Sequence, residues 1–110
     1  MLAITATDSA NAVMEKANRG SYVSFAAPGV DLIVPKADGS PEFVTGTSFA
    51  VAYASGLAAR LIALKQGTEP LALERVFTAS AQDLGAPGLD PIFGYGLLNG
   101  AKAKQSLLGQ

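Results

Sequence analysis

The sequence predicts an α/β or α+β fold in which an all-apolar helix lies against a β-sheet. Three observations predict it. Strand-like segments come first along the chain and helical ones last. The hydrophobic period changes from two to helical at Gly46. The stretch after that change is apolar on nearly all sides, the pattern of a helix covered by its neighbours.

Each element has a local reason. Leu2–Ala6 reads as a strand, and the polar stretch Asp8–Gly20, with Asn and Gly, as a loop. Tyr22–Phe25 reads as a second strand and Ala27-Pro28-Gly29 as a turn. Asp31–Val34 and Glu42–Thr45 are strands on either side of Asp38-Gly39, a hairpin signal. A helix then runs to about Lys65, with Thr47 or Ser48 able to cap it and Gly67 to end it. Thr68 is the expected cap of a second helix with Pro70 in its first turn, amphipathic through Leu73, Val76 and Phe77. Leu84–Gly96, rich in Gly and Pro, reads as a surface loop, and Asn99 as the cap of a last helix ending near Leu108.

Composition narrows the function classes. The 110 residues make at most one small domain or a piece of a larger one. Hydrophobic residues are 49% and charged residues only 15%, so part of the surface is expected to be covered in use. A net charge of −1 gives no footprint for nucleic acid. With no cysteine there are no disulfides, thiol chemistry or thiolate metal sites. Phe49–Leu64 is shorter than a membrane span needs and carries Arg60, so no membrane crossing is expected. Asp8, Asp31, Asp38, Glu42, Asp83 and Asp90 lack calcium-loop spacing and read as solvated loop charges, with Asp83 and Asp90 sharing one loop. Tyr22, Phe25, Phe43 and Phe77 read as core. No metal and no organic cofactor is expected.

The segment that carries chemistry is Gly46-Thr47-Ser48-Phe49-Ala50. It sets a hydroxyl at a helix start, where backbone N–H groups are unpaired and the helix dipole favours a developing anion. A nucleophilic serine needs exposure, an oxyanion site and a base. The turn supplies the first two, and Gly46 leaves room for a substrate backbone. The chain has no histidine, so the base is absent from it. The bland alternative is an ordinary helix-capping serine.

The surrounding residues weigh against the bland alternative. Ala3–Asp8 ends like "V-x-A-x-D", and Phe25-Ala26-Ala27-Pro28-Gly29-Val30 contains "APG". Gly46–Ala50 follows, then Gly56-Leu57-Ala58-Ala59 on the helix, then Gly94-Tyr95-Gly96-Leu97-Leu98-Asn99 with Ala101. These five segments, in this order, resemble the C-terminal half of the catalytic domain of subtilisin-like serine proteases, across nearly the whole chain.

That resemblance implies a doubly wound α/β domain with a parallel sheet, of which residues 1–110 are the C-terminal portion. It implies hydrolysis of a peptide or protein substrate by an Asp-His-Ser triad, with Ser48 the nucleophile and its backbone N–H an oxyanion donor. Gly46, Thr47 and Thr45 would line the substrate, with Thr45 and Val44 on the leaving-group side. The Asp, His and Asn of the machinery would come from N-terminal sequence, so the fragment alone would be inactive and prone to self-association through its uncovered sheet edge. An extracytoplasmic location is also implied by resemblance alone. One departure stands out: in Val51-Ala52-Tyr53-Ala54-Ser55-Gly56, Ala52 replaces the usual proline and Tyr53 a frequent histidine. This leaves a second reading, a non-catalytic binding or structural module on the same fold.

Overall fold

The computed structural model describes residues 2–15, 17 and 19–109. Two strands, β1 (Ala3–Thr7) and β2 (Val23–Pro28), pair in parallel, with Ile4 opposite Phe25 and Thr7 opposite Pro28. Thr5, Ala6 and Thr7 are buried in succession. A strand buried at consecutive positions has both faces covered, as parallel strands do. The sheet gains one more rung from the C-terminal segment. Leu97 bridges Ala26 in parallel, and the Ala26 N–H donates to the Gly96 carbonyl at 2.8 Å.

β2 reaches further than its local sequence indicates. A turn over Ala27-Pro28-Gly29 is the sequence expectation, yet the strand continues through Pro28. The reason is non-local. Ala26 and Ala27 find partners in β1 and in Gly96–Leu98, which no short window of sequence displays. Gly29 closes the strand by donating to the Thr7 carbonyl at 3.1 Å.

The antiparallel hairpin of β3 (Leu32–Pro35) and β4 (Pro41–Val44) turns at Asp38-Gly39 as expected. The Asp38 carboxylate accepts from the Ser40 hydroxyl and N–H, and Gly39 takes a left-handed φ of 87°. The Ser40 hydroxyl, then the Ser40 N–H, hold the Asp38 pKa below its ordinary 3.8.

Three helices complete the fold: α1 (Thr47–Leu64), α2 (Pro70–Ser80) and α3 (Gly100–Leu108). α1 lies on β1 and β2, and small residues let it approach closely. Ala6, Ala27 and Ala50 are fully buried, and Gly29 sits between Ala6 and Ala50. Phe25 meets Phe77 of α2 edge-on at 5.8 Å. Leu61, Leu73, Val76, Leu98, Ala103 and Leu107 finish one contiguous core. By length and composition α1 is apolar enough to cross a membrane, with a mean hydropathy of 1.4 over its 18 residues. Its inner residues Ala50, Ala54 and Leu61 belong to the core. Its other side is bare in this chain: Val51, Tyr53, Ile62 and Leu64 are 42–49% exposed.

Caps differ from expectation in two places. Gly46 stands at the cap position of α1 rather than Thr47 or Ser48, and among the described residues no side chain caps the helix. At α2 the cap position is Glu69, again without a side-chain bond, while the Thr68 hydroxyl donates back to the Lys65 carbonyl at 2.6 Å. Asn99 does cap α3, its Oδ1 accepting from the Lys102 N–H at 3.0 Å. The Leu84–Gly96 loop is exposed through Leu89 apart from the half-buried Leu84, but its far end is structural. A Cβ on Gly94 would fall 2.2 Å from the Ser24 carbonyl oxygen, so only glycine fits against β2 there.

Candidate active site

The hairpin delivers the chain to the start of α1 through two fixed points. The Thr45 hydroxyl accepts from the Asp31 N–H at 2.9 Å. The Gly46 N–H donates to the Gly29 carbonyl at 2.8 Å. Both bonds join the segment before Ser48 to the end of β2, so the sheet sets where α1 begins.

Ser48 is the second residue of α1 and is exposed. Among the described residues its hydroxyl makes no hydrogen bond, so it does not act as the cap of its own helix. Gly46 occupies the cap position in an extended conformation, with φ 163°. A Cβ there would lie 3.5 Å from the Ser48 oxygen, so its absence keeps the space beside the hydroxyl open. The N–H groups of Thr47 and Ser48 are first-turn donors that the helix itself cannot satisfy. An unbonded hydroxyl, free N–H groups and a positive dipole end therefore meet at one exposed point.

The other sequence candidates fall as follows. Gly46, Thr47 and Thr45 flank Ser48 along the chain, and Thr45 also lines a cavity at the carboxyl ends of β1 and β2. Ala52 and Tyr53 are exposed, and α1 is regular across both, so the missing proline does not break its first turns. Among the described residues no cluster of three or more His, Cys, Asp or Glu suits a metal ion. Asp90 is a correction to the reading of solvated charges. It is buried, and its Oδ1 accepts from the Ile92 and Phe93 N–H groups at 2.9 and 2.8 Å, folding the turn that feeds Gly94. Asp83 accepts from the Gly88 N–H.

Sequence reasoning missed one wall of the cavity that Thr45 lines. The loop after β1 is not loose. Asp8 Oδ1 accepts from the Ala10 and Ala12 N–H groups at 2.8 and 3.0 Å, Asn11 takes a left-handed φ of 62°, and Val13 bridges back to Thr7. The available signal was Asp8 followed by Asn11, residues that favour local turns.

The family model described as "Subtilase family" matches residues 1–96. The chain belongs to the subtilase family. Proteinase T of Parengyodontium album is 35% identical over 68 residues, covering 62% of this chain and 23% of that protein. The thermophilic serine proteinase of Bacillus sp. (strain AK1) is 28% identical over 103 residues, covering 94% of this chain and 25% of that protein. Among solved structures, fervidolysin from Fervidobacterium pennivorans, a keratinolytic enzyme related to subtilisin, superposes with a TM-score of 0.85 at 25% identity. That match covers 96% of this chain and 19% of fervidolysin. The subtilase chain thus has the α/β fold of this family and spans about a quarter of the length of the two relatives.

Proposed function

We propose that this subtilase chain is the C-terminal portion of a serine endopeptidase domain, with Ser48 the nucleophile. The observation that carries the reading is the Ser48 hydroxyl itself: exposed, unbonded to its own helix, and beside free first-turn N–H groups. In this reading the Ser48 oxygen attacks the scissile carbonyl, and a histidine from the rest of the domain takes the proton and gives it to the departing amine. The oxyanion is held by the Ser48 N–H and an upstream Asn. Water then releases the acyl group. Gly46 and Thr47 line the substrate, and Thr45 borders the leaving-group side.

The same proposal accounts for the bare side of α1. Val51, Tyr53, Ile62 and Leu64 would be covered by the N-terminal part of the domain, which also brings the Asp, His and Asn. By itself the 110-residue chain would be inactive, having no histidine, and prone to self-association. A location outside the cytoplasm belongs to this proposal as a property of the family.

The test is covalent. The full-length gene product is treated with a fluorophosphonate probe and weighed intact beside a Ser48→Ala variant. One adduct that vanishes with the substitution is the expected result. A folded protein that gains no adduct overturns the reading in favour of a non-catalytic module, the alternative that the Ala52-Tyr53 departure raises.

A further inference from the structure

A cavity of about 520 Å³ opens where β1 and β2 end. Val13, Met14 and Val30 form its apolar walls, and Asp8, Glu15 and Thr45 supply its polar groups. Its volume is in the range of small-ligand clefts, and it is open to solvent rather than enclosed. The loop that forms one wall is fixed in place. Besides the bonds to Asp8 Oδ1, the Asp8 N–H donates to the Ala12 carbonyl at 3.0 Å and the Met14 N–H to the Ala6 carbonyl at 2.8 Å. Both side-chain bonds of Asp8 use Oδ1, so Oδ2 takes no part in them. The Glu15 side chain is exposed.

The cavity lies close to the candidate nucleophile. Thr45 and Ser48 are three positions apart in the chain, so their Cα atoms are at most about 11 Å apart, the reach of about three extended residues. Thr45, which lines the cavity, therefore lies within reach of about three substrate residues from Ser48. Apolar walls with carboxylates beside them match a side chain that is aliphatic along its stem and cationic at its tip. An acidic side chain would be repelled, and a short polar one would leave the walls unfilled.

We propose that this cavity selects a lysine or arginine of the substrate within about three residues of the cleaved bond, on its leaving-group side. The inference rests on the protease reading above, in which Thr45 borders that side. Val13, Met14 and Val30 pack the aliphatic stem, and Asp8 and Glu15 attract the charge.

The experiment digests a mixture of unfolded proteins with the full-length enzyme and sequences the new N-termini by mass spectrometry. Lysine and arginine should be enriched among the first three residues after the cut. Partly exposed ion pairs are weak individually, so Glu15→Gln should lower that enrichment roughly threefold and Glu15→Gln with Asp8→Asn up to about tenfold. Raising the salt concentration with the unsubstituted enzyme should lower it as well. An enzyme that labels at Ser48 and cuts without this enrichment overturns the inference alone. So does an enrichment that neither salt nor the substitutions diminish. Failure of Ser48 to label removes the protease reading, and this inference with it.

Discussion

Gly29 is the point where sheet, turn and helix meet, and a Gly29→Ala substitution probes all three. The glycine is buried, donates to Thr7 and accepts from Gly46. A Cβ there would stand 2.6 Å from the Ala6 Cβ, 2.8 Å from the Gly46 carbonyl oxygen and 3.2 Å from the Ala50 Cβ. Ordinary contact begins near 3.4 Å, so relief requires movements of about 0.8 Å from β1 and about 0.6 Å from Gly46. Two of the three neighbours are rigid methyl carbons and the third is backbone, so no side chain can swing aside. Overpacking of this kind costs about 1–3 kcal/mol. The direction of relief matters more than the energy, because it pushes Gly46 and the start of α1 off the sheet. A displacement approaching 1 Å at a reacting group can cost about a hundredfold in rate. The assay pairs the urea midpoint with the rate of fluorophosphonate labelling at Ser48. Gly29→Ala should lose about 2 kcal/mol and label about ten- to a hundredfold more slowly. Stability and labelling both within about twofold of the unsubstituted protein would refute the claim that β2 sets the position of Ser48.

The remaining predictions concern local bonds. Asn99→Ala removes the acceptor of the Lys102 N–H and should cost about 1 kcal/mol, read as faster hydrogen exchange in the first turn of α3, whereas Asn99→Asp should restore protection. Asp38 should titrate below 3.8 by NMR, and Ser40→Ala should move it back up, because the Ser40 hydroxyl is the first cause of the depression. A depressed carboxylate stabilises the hairpin turn fully above the ordinary aspartate value, and that support is lost as pH falls through the lower folded value. An Asp38 that titrates at the ordinary value in both proteins would remove this account of the turn.

Much of the frame around the candidate site was legible in the sequence because its signals are local. The change of period at Gly46 marks the start of α1, and Asp38-Gly39 marks the hairpin that leads to it. Asn99 reads as a cap because a side chain reaches only its own helix's first turn. What failed were judgements that depend on a distant partner. Thr47 and Ser48 look like caps, yet the bond from the Gly46 N–H to Gly29 holds Gly46 at the cap position, so both fall inside the helix. Pro28 and Gly29 look like a turn, yet pairing with Thr7 keeps the chain extended through Pro28. Asp90 looks like one more solvated carboxylate until the fold buries it behind the turn that fits Gly94 against β2.

The sequence by itself determined the element types, the apolar character of α1 and the family, because propensity, period and each motif lie within short windows of the chain and the order of the motifs is read along it directly. Only the tertiary structure decided that the Ser48 hydroxyl makes no hydrogen bond among the described residues and that Asp8 stiffens the wall of a cavity. It also decided that one side of α1 is left bare. Those facts depend on which backbone groups far apart in sequence satisfy one another. A buried N–H or carbonyl must find a partner, and the partner is chosen in space.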